Sequence, residues 1–193
     1  MIYLASNSPR RRELLSQIGI EFELFLPDKI DEAVDETPLI DEHPVDYVTR
    51  VAREKAFNGW QRLLRTQKER LPVLAADTTV TINNIILGKP EDQDQARQFL
   101  TLLSGQQHTV LTAVVCCFEE KVMERLNTNI VIFKSLTKSD IEWYIDSGEY
   151  KDKAGGYALQ GLAATFVKRI EGSPSGIVGL PLYETAELLK LIK

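Results

Sequence analysis

Residues 2–19 read IYLASNSPRRRELLSQIG, and this stretch decides the fold. Ile2, Tyr3, Leu4 and Ala5 make a short apolar run of buried-strand type. Ser8 and Pro9 then supply an N-cap and a first-turn proline, and Leu14, Leu15 and Ile18 recur at helical spacing until Gly19 stops the helix. A strand that passes through a short loop into a helix is the opening unit of an α/β protein. Working outward, residues 21–26 read as a second strand and 27–44 as an acidic, proline-bounded loop. Val48, Val51, Ala52, Ala56, Trp60 and Leu63 follow a 3.6 period, which predicts a helix from 45 to about 70 that Pro72 ends. Residues 73–76 form an apolar strand running into Asp77, and 79–82 with 85–87 pair around Asn83 and Asn84. A helix over 92–103 closes at Gly105, and a long hairpin joins 108–118 to 122–136. Thr137 with Asp140 then opens a helix ending at Gly148. Two last strands, near 163–170 and around Ile177, precede a helix over 182–192. Hairpins among crossover helices predict a mixed sheet flanked by helices.

The chain has 193 residues, enough for one domain spanning 1–193. Its formal charge of −5 excludes a chain-wide grip on nucleic acid or an anionic membrane, so any anion site must be a local basic cluster. No apolar run approaches the ~18–20 residues of a membrane span. At the N-terminus Arg10, Arg11 and Arg12 follow the apolar residues, the reverse of a signal peptide, which predicts a cytoplasmic protein. Cys116 and Cys117, adjacent in an apolar strand, are expected to pack in the core.

The three arginines fill the first helical turn, where the positive end of the helix dipole disfavours each cation by ~0.3–1 kcal/mol. Free backbone N–H groups, the hydroxyls of Ser6 and Ser8 and the guanidinium groups of Arg10 and Arg11 together describe a polyphosphate site. Asp77 is expected at the carboxyl end of a buried strand, the usual place for a catalytic group in α/β proteins and also for an ordinary turn aspartate. Asp31 and Glu32 offer oxygen ligands to a hard divalent cation or serve as solvated loop acids. Lys55 borders an apolar helix face, where its stem can snorkel, and Lys89 sits in a tight Gly-Lys-Pro turn that can present its ammonium to a phosphate. His43 and His108 have no ligand-like spacing. With no Ser-His-Asp pattern and no phosphate-binding Gly-x-x-x-x-Gly-Lys loop, a hydrolase built from these parts activates water.

Together these residues resemble the Maf family of nucleoside triphosphate pyrophosphatases. The matching segments are LASNSPRR at 4–11, IDE at 30–32, REKA at 53–56, ADT at 76–78, GKP at 88–90, DKAGGY at 152–157, QG at 160–161 and GLP at 179–181. They follow the family's order along nearly the whole chain. The resemblance implies an ITPase-like α/β fold, an elongated mixed sheet with a cleft between two lobes. It also implies hydrolysis of a nucleoside triphosphate to the monophosphate and pyrophosphate, as nucleotide-pool house-cleaning, with a divalent metal such as Mg or Mn. Asp77 is then the base, Glu32 the first-choice metal ligand and Asp31 the second, with Ser6, Ser8, Arg10, Arg11, Lys55 and Lys89 on the phosphates. A homodimer follows from family habit. Arg11, Thr78 and Gln160 stand at the positions that separate substrate subgroups and look like the dTTP and UTP branch. The Gln160 amide offers the donor and acceptor that the uracil or thymine imide requires. The alternatives are a pyrophosphatase for 7-methyl-GTP or a non-standard purine, and a non-catalytic nucleotide sensor regulating septum formation; a base at Asp77 favours catalysis.

Overall fold

The computed structural model describes residues 1–27 and 34–192. Within them run β1 (Ile2–Leu4), α1 (Pro9–Gln17), β2 (Phe22–Leu24), α2 (Pro44–Leu64), β3 (Val73–Ile82), β4 (Ile85–Leu87), α3 (Gln93–Leu103), β5 (Gln107–Phe118), β6 (Lys121–Phe133), α4 (Lys138–Asp146), β7 (Val167–Glu171), α5 (Pro174–Val178) and α6 (Leu182–Lys190). The strands form one mixed sheet in the order β2-β1-β3-β5-β6-β7, with β4 also beside β3. β1 is parallel to β2 and β3, and the remaining pairs are antiparallel. No described helix is long and apolar enough to cross a membrane.

The topology leaves one opening. β5 pairs with β3 continuously from Val73 to Thr81 on one flank. On the other flank β1 reaches only Val73 and Leu74, and β4 takes over only at Val80. Residues 76–79 of β3 therefore have a strand partner on one side alone among the described residues, and a cleft opens there. The two-residue alternation of a strand sends successive side chains to opposite faces. Val73 and Ala75 join Val51, Ala52 and Ala56 of α2 on one face, whereas Leu74 and Ala76 join Leu14, Leu15 and Leu188 on the other. Beyond Val80 a third apolar cluster, with Leu100, Phe133, Tyr144 and Phe166, builds the second lobe.

Several expected boundaries move. α2 ends at Leu64 rather than near Pro72, because side chains cap it: Thr66 Oγ1 donates to the Leu63 carbonyl at 2.9 Å, and Arg70 donates to the Leu63 and Leu64 carbonyls. β6 ends at Phe133 instead of 136. The expected strand at 163–170 begins as a 3-10 helix, Leu162–Phe166, and only Val167–Glu171 pairs with β6. Ile177 lies in a helix, not a strand, since Ser173 caps its start, Pro174 occupies the first turn and Gly179 at φ +124° stops it. Elsewhere the turn chemistry holds. Asn83 and Asn84 both adopt positive φ, +51° and +63°, in the β3–β4 hairpin, and the Thr137–Asp140 capping box forms. The two free cysteines are buried, Cys116 in one apolar cluster and Cys117 in another.

Candidate active site

Asp77 does not sit at the end of a strand. β3 is one ten-residue strand, because β5 templates it past Asp77 to Thr81, and what ends near Asp77 is its other neighbour, β1. The chemical consequence survives, since the side chain meets the cleft through the gap between β1 and β4. Alternation puts Asp77 on the α2 face and Thr78 on the α1 face, so the two helices supply different partners.

On the α2 face Lys55 Nζ lies 2.7 Å from Asp77 Oδ1 and 2.6 Å from Glu36 Oε1, while Lys89 Nζ lies 3.1 Å from Glu36 Oε2. No described residue donates to Asp77 Oδ2. Burial disfavours the charge on Glu36, but Lys55 and Lys89 outweigh it and hold the carboxyl down at about 2. Glu36 reaches this place because its loop is tied to α2: Tyr47 Oη donates to the Glu36 carbonyl at 2.9 Å, and Arg50 holds Glu42 through two nitrogens at 2.6 and 2.8 Å.

On the α1 face Arg11 is committed to the protein. Its Nε donates to the Gly179 carbonyl at 2.8 Å, one terminal nitrogen to Ser6 Oγ at 3.0 Å and the other to Thr78 Oγ1 at 3.3 Å. Burial lowers its pKa. Thr78 Oγ1 also lies 2.9 Å from Thr112 Oγ1, and Thr112 donates to the Gly176 carbonyl at 2.8 Å. Arg10 donates no hydrogen bond to a described residue. The Ser8 side chain makes no cap bond, and its backbone N–H donates to Ser6 Oγ at 3.3 Å.

One cavity of about 890 Å³ collects Ser6, Ser8, Arg10, Arg11, Lys55, Asp77, Thr78, Lys89 and Gln160 from the expected set. Arg11 and Thr78 touch; Gln160 lines the same cavity from the segment 153–160. That segment is held by Gly155 and Gly156, both at φ near +70°, by the Gly155 N–H bond to the Gly88 carbonyl at 3.0 Å, and by Tyr157, whose hydroxyl lies 2.8 Å from His108 Nε2. A side chain at Gly155 would collide with Val80.

Asp31 and Glu32 lie outside the described residues. Among the described residues, no cluster of three or more acidic, histidine or cysteine side chains is poised for a metal. The carboxylate brought beside Asp77 is Glu36, which sequence reasoning passed over. Its signal was present: apolar-Asp-Glu occurs three times, at 30–32, 34–36 and 40–42, and spacing alone does not choose among the copies. Lys153 was the other omission. It lines the cavity, and burial, then neighbouring Arg10, lowers its pKa.

The chain is similar to a family model, to two curated proteins and to one solved structure. The family model described as "Maf-like protein" matches residues 1–192. A protein of Nitrosomonas europaea named dTTP/UTP pyrophosphatase is 51% identical over 98% of this chain and 93% of its own length. A protein of Nitrosospira multiformis with the same name is 49% identical over the same shares. A HAM1 protein from Coxiella burnetii superimposes with a TM-score of 0.50 over 98% of both chains at 17% identity, which places the chain in the HAM1/ITPase-like fold.

Proposed function

The chain belongs to the Maf family, and from that premise we propose that it hydrolyses dTTP and UTP to the nucleoside monophosphate and pyrophosphate, clearing unwanted nucleotides in the cytoplasm. The observation that carries the reading is a cavity lined together by Asp77, which is paired with Lys55, by Arg10 and Arg11 of α1, by Lys89 and by Gln160.

The nucleoside triphosphate lies with its phosphates toward Arg10, Lys55, Lys89 and the free N–H groups at the start of α1. Arg11 works indirectly, fixing Ser6, Thr78 and the turn at Gly179. Lys55 holds Asp77 by Oδ1, and Oδ2 takes the proton from the water that attacks the α phosphorus. Lysine and arginine charges stabilise the departing pyrophosphate. The carboxylate oxygens of Glu36 and Asp77, gathered on one ammonium, fit a hard divalent cation such as Mg or Mn; these two residues would hold it, and it would supply neutralisation of triphosphate charge. Glu32 and Asp31 remain the ligands that the family resemblance suggests.

Gln160 presents a donor and an acceptor to the imide of uracil or thymine, and with the amide held in that sense in the complex, cytosine, which reverses the order, leaves both groups unsatisfied. The test is pyrophosphate release from dTTP, UTP, CTP, ATP, GTP and 7-methyl-GTP, with and without Mg. The expected result is release from dTTP and UTP well ahead of the others. Preference for a purine would reassign the substrate, and binding without release would make the protein a sensor.

A further inference from the structure

Gln160 is exposed and its side chain makes no hydrogen bond to a described residue, so what the protein fixes of it is the direction of its Cα–Cβ bond, set by the backbone around it. The next two residues are held in an unusual way. Both oxygens of Glu149 accept the backbone N–H of Leu162 at 3.0 Å, where the 3-10 helix Leu162–Phe166 begins. The three atoms nearest to a Cβ built on Gly161 all belong to the Glu149 carboxylate, and such a Cβ would overlap it. Gly161 has φ −132°, which any residue adopts, so glycine is required there for the carboxylate and not for the backbone angle. Glu149 stands just beyond α4, after Gly148 at φ +70°, and its own N–H donates to Ser147 Oγ at 3.2 Å. α4 is fixed in turn by the Thr137–Asp140 box and by Arg97, which donates to Glu142 at 2.9 Å.

We propose that Glu149 is a positioning residue for base selection: seated on the Leu162 N–H in the space left by Gly161, its carboxylate sets the direction in which Gln160 meets the base. This rests on the reading of Gln160 as the base reader. A charged acceptor on a backbone donor makes a strong and directional clamp. Glutamine at 149 keeps a carbonyl acceptor for Leu162, whereas alanine keeps none.

The experiment measures kcat/KM for UTP and CTP, with thermal stability, on wild type, Glu149→Ala, Glu149→Gln, Gly161→Ala, the double variant Glu149→Ala/Gly161→Ala, and Gln160→Ala. Glu149→Ala is expected to lower the UTP:CTP preference ~10-fold while kcat on UTP changes less, because discrimination depends on aligned hydrogen bonds. Glu149→Gln restores most of the preference. Gly161→Ala, which expels the carboxylate from the other side, behaves like Glu149→Ala, and the double variant is no worse than Glu149→Ala alone. A Glu149→Ala ratio equal to wild type, with Gln160→Ala collapsed, overturns the role of Glu149 only. Equal loss of kcat/KM on both nucleotides, or losses that compound in the double variant, overturns it as well. An unchanged ratio in Gln160→Ala overturns the reading of Gln160 and the clamp with it.

Discussion

On one wall of the cleft Lys55, Lys89, Glu36 and Asp77 are held by one another's charge; on the other, the segment 153–162 is held by glycine backbone, a buried histidine–tyrosine pair and one carboxylate. The first wall is built of contacts that a highly charged substrate can exchange for its own. The second is built of contacts that a neutral base leaves untouched. Chemistry and selectivity are thus assigned to regions with different physics, and substitutions on the two walls should fail in different ways.

The largest effect is expected at Asp77. Asp77→Asn removes the base but keeps the shape of the side chain and leaves Lys55 its bond to Glu36, so kcat should fall ~10²–10⁴-fold with folding and nucleotide binding retained. Turnover within a few-fold of wild type would remove Asp77 from that role.

Next comes the support of the second wall. Burial lowers the pKa of His108 to about 4, and its Nδ1 has no hydrogen-bond partner among the described residues. A histidine kept neutral in the fold contributes stability that is complete above its unfolded value, near 6.5, and is lost as pH falls toward the folded value. Across that window, from pH 6.5 to about 4, the native state should lose up to ~3 kcal/mol through this group. Denaturant unfolding of wild type and His108→Gln as a function of pH checks this; parallel curves would show that another group carries the acid sensitivity.

Smaller effects separate two adjacent arginines. Arg11→Ala breaks three hydrogen bonds from a charged donor and should cost ~1.5–3 kcal/mol of stability. Arg10→Ala should raise KM for the triphosphate while leaving stability unchanged or better by ~0.3–1 kcal/mol, because it removes a cation from the unfavourable end of α1. Thermal unfolding beside KM for UTP distinguishes them, and equal destabilisation by both would show Arg10 to be structural too.

That contrast also marks where sequence reading stopped. The β1–α1 unit, the Asn83–Asn84 turn and the Thr137 capping box were legible because each depends on local residue types. The three arginines announced an unmet electrostatic need, but nothing local tells which one turns inward to the Gly179 carbonyl, 168 positions away. The same holds for Asp77, whose strand continues because β5 lies beside it, and for Ile177, whose Ser-Pro start and glycine stop outweigh two β-branched residues. Glu36 was hidden among three copies of an apolar-Asp-Glu tripeptide, and only the anchoring of its loop by Tyr47 and Arg50 brings that copy to the lysines.

The division between the walls is tested most directly by kcat/KM for UTP and CTP on Asp77→Asn and Gln160→Glu. Replacing the Gln160 amide by a carboxylate removes a donor and sets a negative charge against a pyrimidine carbonyl, a change worth ~1–3 kcal/mol of discrimination. The account predicts that Asp77→Asn lowers both values alike and preserves the UTP:CTP ratio, and that Gln160→Glu shifts the ratio toward CTP. A ratio altered by Asp77→Asn, or left unaltered by Gln160→Glu, would contradict it.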